Sequence, residues 1–423
     1  MILGENKGMN IERKFHKMKK QQNSNRGSFF LMALWMVMAT SGIVIFEPAP
    51  IDLGIIFLFM VGILFAKVSI RNSLSSLYML LFAMIITNLV PLLLAGDKII
   101  GIKYFAITLY LMLSWLFFIG LVNVYGDRAV KVIFSGYTFA ALLSAMLGIL
   151  AYLSLIPSGD MFLKFGRATG LFKDPNVYGP FMIPIVLYAL VKLEDVKKTY
   201  RFWWILVIIL ASLAILLSYS RAAWGSYIAA LVVYSVIRFW IKPNIKLIFS
   251  VIVMGGIISI GLMYLLSIPQ IQKDMTNRFA YQEYDNDRFA HQDEALQIAL
   301  SHPLGKGPGQ AELVLNYATH NSYLRIWLEN GYLGLLFYLL LIISSIFRSI
   351  KYALKTKNPL YALAAASIVA VVINSFVVDV VHWRHFWLVL SIPWFAHPSL
   401  FKRVIDEPVT KLTIKETKIR ITS

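Results

Sequence analysis

Long apolar runs recur along this chain, and they constrain its fold more than any other feature. They lie at 29–46, 51–69, 74–95, 99–124, 129–157, 176–193, 202–219, 222–240, 246–267, 321–347, 359–379 and 386–400. A helix needs roughly 20 apolar residues to cross a bilayer. Backbone in lipid must also satisfy its own polar groups, which leaves helices as the elements these runs can form. The expectation is an all-α polytopic membrane protein with about 12 transmembrane helices. The 51–69 and 386–400 runs are the weakest, being interrupted or short. The first run lacks a small-residue cleavage site and reads as a retained anchor.

Composition agrees. Of the 423 residues, 58% are apolar and only 15% charged, whereas a soluble domain is about a quarter charged. There is no cysteine, which excludes disulfides and thiolate chemistry. The net charge of +18 could suggest nucleic acid. The basic residues instead sit in short loops and tails between apolar runs, where they mark the cytoplasmic side and contact anionic lipid. No nucleic-acid partner is expected.

With the N-terminus inside, well over half of the 40 Lys and Arg fall on inside segments. That asymmetry fits an even number of spans and two cytoplasmic termini. The domain reading is a basic cytoplasmic tail at 1–28, a transmembrane unit at 29–404 and a second cytoplasmic tail at 405–423. Three features fall on the outer side: a loop at 158–176, the short turn Ser218-Tyr219-Ser220-Arg221, and a long polar stretch at 268–320. The last is too long for a plain connection and points to function. Within it, 285–301 reads as an amphipathic surface helix. Phe289, Leu296, Ile298, Ala299 and Leu300 form its apolar side, Asp285 or Asn286 caps it, and His302-Pro303 stops it.

The chemistry-bearing residues gather on that side. Arg167, Arg221 and Arg288 are interfacial arginines, costly to place and therefore candidates for function. Snorkelling to headgroups is the bland alternative, weakest for Arg221 because its turn is so short. Three converging guanidiniums suit a polyanion, since each can fork onto phosphate oxygens. His320 stands where the long loop enters the next span, followed by Asn321, Tyr323 and Arg325. It can exchange a proton near neutral pH, with His291, His302, His382 and His385 as competitors. Asp174 or Asn176 caps the helix that follows the first outer loop. Asp285-Asn286-Asp287 matches a short, commonplace nucleotide-sugar motif but faces the wrong side. Gly305-Lys306-Gly307-Pro308-Gly309 lacks the strand context of a phosphate loop. Asp379 is expected to pair with Arg384.

The segments GRATGLFKDPNVYG (166–179), SYSRAAW (218–224), DRFAHQDEALQIALSHPLGKGPG (287–309) and HNSYLRIWLENGYLG (320–334) together resemble the O-antigen ligase and O-antigen polymerase (Wzy-type) superfamily. The hydropathy likeness spans nearly the whole chain, and the specific segments span 166–334. The resemblance implies a cell-membrane glycosyltransferase, inverting and without metal or cofactor, acting on the outer face. Its donor would be an undecaprenyl-diphosphate-linked glycan and its acceptor another glycan, with membrane lipid around it and a flippase and chain-length regulator as partners. By the same resemblance, Arg167, Arg221, Arg288 and His320 are the catalytic candidates, and Asp174, Asn176, Asn321, Tyr323 and Arg325 the substrate-binding ones. The modest outer loop points away from the protein-glycosylating branch. A repeat-unit polymerase is the first expectation and a ligase the second. A lipid-linked sugar transporter or flippase is the rival from another class, but such folds carry repeats and midplane polar groups, and the span centres here are largely uncharged.

Overall fold

The computed structural model describes residues 27–69, 75–195, 197–243 and 283–400, with a few isolated positions between 256 and 276. The 246–267 run, most of both expected tails and the start of the 268–320 stretch lie outside the described residues. Among the described residues the chain is helical apart from one two-stranded hairpin.

The helices follow the apolar runs closely. They are α1 (Gly27–Ala39), α2 (Pro50–Leu64), α3 (Ser75–Leu94), α4 (Lys98–Tyr125), α5 (Asp127–Tyr152), α6 (Pro175–Asp195), α7 (Lys198–Leu217) and α8 (Arg221–Ile241). After the partly described stretch come α9 (Glu283–Ser301), α10 (Ala311–Leu315), α11 (Ser322–Thr356), α12 (Pro359–Asn374) and α13 (Arg384–Ser391). Seven of these are long and apolar enough to cross a membrane, namely α3 to α8 and α11, and α1, α2 and α12 are shorter apolar helices. An integral membrane protein follows, with fewer full-length spans among the described residues than the dozen expected. The 386–400 run departs most. It forms the eight-residue α13 and two 3-10 turns, and Phe386 to Phe395 is buried throughout. It is apolar because it lies inside protein, which hydropathy alone does not separate from lipid exposure.

α6 is the most enclosed of the long helices, packed against α7, α8 and α12. Lipid-type surface lies elsewhere: Leu53, Phe57 and Met60 of α2, Met79, Phe82 and Leu93 of α3, and Ile228 and Val232 of α8 are exposed. Most of the loops that matter gather at one end of the bundle. There stand the N-termini of α2, α4, α6, α8, α11 and α13, the C-termini of α1, α3, α5, α7 and α12, and the hairpin β1 (Leu163–Lys164) and β2 (Arg167–Ala168). Lys164 pairs with Arg167 across the turn. The turn residues Phe165 and Gly166 both have positive φ, as a tight type I′ connection requires.

α11 is broken near its start. Gly331 has φ 68° and ψ −171°, so Ser322–Asn330 forms a short leg and the rest a spanning leg. A Cβ at Gly331 would collide with the Pro303 carbonyl oxygen. The break frees backbone groups, and the glycine-rich segment satisfies them. Lys306 N donates to Leu328 O (2.8 Å), Gly307 N to Glu329 O (2.9 Å), and Tyr332 N to Pro303 O (3.1 Å). The residues at 305–309 that look like a phosphate loop thus serve as a splint for a broken helix.

Candidate active site

The short leg of α11 is anchored before it is functional. Asn321 caps it, its Oδ1 accepting from Tyr323 N (3.0 Å) and Leu324 N (3.1 Å). Ser322 ties the cap to the turn after α12: its N donates to Ser375 O (2.8 Å), its Oγ donates to Val378 O (3.0 Å), and Val380 N donates to its Oγ (2.8 Å). The Tyr323 hydroxyl donates to Val372 O (3.1 Å). Asn321 and Tyr323 are therefore used by the fold itself, whatever else they touch.

His320 precedes this cap with φ +48°, a left-handed conformation uncommon outside glycine. Its carbonyl accepts from Gln292 Nε2 of α9 (3.4 Å), which links the surface helix to the loop that carries the imidazole. The residue as a whole is exposed. Desolvation by the flanking protein, and then the Arg288 guanidinium, hold its pKa below the usual histidine value, against the opposing pull of Asp174, Asp379 and Glu312. At neutral pH the ring is neutral and able to accept a proton.

Arg167 and the turn before Arg221 are joined directly. Arg167 Nε donates to Ser218 O (2.8 Å), and its terminal nitrogen donates to Asn176 Oδ1 (2.9 Å). Ser220 caps α8 through Ala223 N (3.3 Å), placing Arg221 at the helix's first position. Asp174 caps α6, its Oδ1 accepting from Asn176 N (2.8 Å). Of the two cap candidates it is Asp174 that caps, which frees the Asn176 amide to orient Arg167. Arg167, the Arg221 turn, Asp174 and Asn176 thus form one cluster, and Asp174 and Arg288 both act on His320.

Arg325 is placed differently. It is only 5% exposed, and its guanidinium is engaged by Glu329 (3.1 Å), Glu312 (3.4 Å) and Asp379, with the Tyr104 ring 5.1 Å away. It lies in an ion network beneath the short leg. The expected Asp379–Arg384 pair does not form. Asp379 is held by Arg325, and Arg384 forks onto Asp52, 332 residues away, through two bonds of 2.6 Å. Proximity along the chain suggested the wrong partner because α2 and α13 meet only in the folded bundle. Burial alone would raise the Asp379 carboxyl, but Arg325 and then His382 outweigh it and keep it low.

The surface helix also departs in detail. It already runs from Glu283, so Asp285 and Asn286 do not cap it. Its buried side is Ala295 and Ala299, packed with Leu315 and Leu328, while Phe289 and Leu300 are exposed. The small residues let it lie close against α11. It ends at Ser301 as expected, where His302 Nδ1 lies 2.8 Å from Ile298 O. That places His302 in a capping role, and His291 stacks on Tyr317. His382 is held down to about 4, chiefly by burial.

Sequence reasoning passed over Ser218, Gln292 and Ser322, which position Arg167 and His320, and gave Asp379 the wrong partner. Ser218, Ser322 and Asp379 each stand at the end of an apolar run, the signal that could have singled them out, whereas Gln292 lies inside the surface helix and carries no such signal. No curated protein matches the chain. Residues 206–339, which include Arg221, Arg288 and His320, match the family model described as O-antigen ligase, and this match supports the chain's place in the O-antigen ligase and polymerase superfamily.

Proposed function

We propose that the protein is a membrane glycosyltransferase that lengthens a lipid-diphosphate-linked glycan at the outer face of the cell membrane, a repeat-unit polymerase. The observation that carries this reading is one polar cluster of Arg167, the Arg221 turn, Asn176 and Asp174, with Asp174 and Arg288 both acting on a neutral, exposed His320.

The acceptor's hydroxyl oxygen attacks the anomeric carbon of the donor sugar, and its proton passes to His320. The bond from that carbon to the diphosphate oxygen breaks, and its electron pair leaves with the undecaprenyl diphosphate. A single displacement inverts the anomeric centre. Negative charge grows on the departing diphosphate, so cations fixed in advance lower the barrier. Arg167, Arg221 and Arg288 have that task. Asn176 keeps Arg167 in place, and Asn321 holds the start of α11 and with it the base. Arg325 acts through the fold, fixing Glu329 and Asp379 beneath the site. Ligation to a different acceptor would use the same groups.

The test uses purified protein and a His320→Ala variant in detergent, each given the host's undecaprenyl-diphosphate oligosaccharide with EDTA present. Longer glycan and released lipid diphosphate from the wild type, lost in the variant, are the expected result. Full activity in the variant would move the base to another residue. Transfer of the lipid between liposome leaflets with no lengthening would replace the enzyme reading with the flippase one.

A further inference from the structure

A cavity of about 280 Å³ opens beside the candidate active site. Its polar lining comprises Glu47, Lys173, Asp174, Asp379, His382 and Arg384, and its apolar lining comes from α1, α2, α4, α5, α6 and α13, Ile55, Phe118 and Leu388 among them. Asp174 belongs both to this lining and to the groups acting on His320, so the cavity and the candidate base share a border.

Its charges are spent internally. Arg384 is forked onto Asp52, Lys173 lies 3.5 Å from Glu47, and Asp379 is held by Arg325. A diphosphate entering here would find cations already matched by carboxylates, and further carboxylates to repel it. A neutral polyol would find acceptors for its hydroxyls in those same carboxylates. Phe172, Tyr137 and Trp383 in the wall offer faces for the apolar side of a sugar ring. The wall adds unmet polar groups, among them Ser41 Oγ and His385 Nε2, which are buried without a hydrogen-bond partner among the described residues. Such groups are costly unless something satisfies them.

We infer that this cavity is a binding site for a neutral sugar unit, the one bearing the attacking hydroxyl, and that the acceptor approaches His320 from the Asp174 side while the diphosphate lies on the Arg167 and Arg221 side. The identification of the sugar as acceptor rests on the transferase reading; the preference for a neutral sugar rests on the cavity itself.

The cysteine-free chain makes a direct test available. Val44 lines the cavity and is half-buried, whereas Phe46 is exposed and does not line it. Val44→Cys and Phe46→Cys proteins are treated with N-ethylmaleimide. The additions are oligosaccharide freed by mild acid from the host's lipid-linked precursor, or undecaprenyl diphosphate. The expected result is that oligosaccharide slows labelling of Val44→Cys by about tenfold at saturation and leaves Phe46→Cys alone, and that undecaprenyl diphosphate protects neither. Protection of Val44→Cys by undecaprenyl diphosphate alone, or by neither compound, overturns the inference. So does a Val44→Cys protein that resists labelling while Phe46→Cys reacts, because the cavity would then be closed to solvent. A second arm fills the cavity: Ser41→Phe should raise the KM for acceptor about tenfold while undecaprenyl diphosphate binds as before, and an unchanged KM in a protein that still binds undecaprenyl diphosphate counts against the site. If oligosaccharide protects the cavity but the wild type transfers no sugar, the binding site stands and the transferase reading fails.

Discussion

Arginine is used in two ways in this molecule. Arg325 and Arg384 lie among carboxylates: Arg325 meets three of them and Arg384 forks onto one. Arg167 is oriented by a peptide carbonyl and a side-chain amide, both neutral. A guanidinium matched by carboxylates holds protein together. Arg167 is instead steered by the cluster that also holds Asp174, a group acting on His320. Both settings occur at loops and span ends, and their place in the fold separates them.

Substitutions should separate the two kinds in the same way. The largest effect is expected from Arg325→Met. It leaves Glu329 and Asp379 facing each other in a buried site without their cation, and losing one partner of such a network costs about 3–5 kcal/mol. Thermal unfolding in detergent should move sharply down, and activity should fall with it; an unchanged melting temperature would break the distinction. Arg221→Ala should act on turnover directly. Turnover should drop about 10²- to 10³-fold, the usual cost of removing one group that stabilises a developing negative charge, measured at a temperature where the variant remains folded.

Asn321→Ala removes the cap of the short leg and should cost about 1 kcal/mol of stability. Turnover should decline with it, because His320 adjoins that cap. The same melting curves and rates serve as readout. The finest test is the pH profile. The lowered pKa of His320 means that activity should persist into mildly acidic conditions and fall only below the ordinary histidine value. Arg288→Ala removes a neighbouring positive charge, so the acid limb should shift to higher pH, and Asp174→Asn should shift it to lower pH. A limb that stays put in both variants would mean that another group is the one titrating.

Much of this was legible from residues alone. The spans at 74–95, 99–124, 129–157 and 321–347 were readable because lipid demands apolar length, and α3, α4, α5 and α11 answer it. Arg167, Arg221, Asp174 and Asn176 were readable as candidates because they lie on short loops and turns between apolar runs, on the side where the polar residues gather. The illegible parts share a physical cause: they depend on contacts between segments distant in sequence. Asp52 and Arg384 meet only through the packing of α2 against its neighbours. Arg325 looks like any residue in HNSYLRIWLENGYLG until Glu312 and Asp379 come to it. The glycines at 305–309 have no evident purpose until Gly331 breaks α11 against them. The run at 386–400 misled because apolarity reports exclusion from water, and both lipid and protein exclude it.

The hub at Arg325 has a consequence for biogenesis. Its carboxylate partners come from positions 312, 329 and 379, so the last of them leaves the ribosome some fifty residues after the arginine itself. Domains and segments fold in the order of synthesis where they can, but this cluster has to wait. Until the helix ending at Asn374 is inserted and its following turn emerges, Arg325 lacks one of its counter-ions and Ser322 lacks the Val378 and Val380 backbone groups that it ties. The loop that carries His320 is therefore assembled late, after most of the helices around it are already in the membrane. A chain stalled before residue 379 would be an inserted bundle without an organised candidate site.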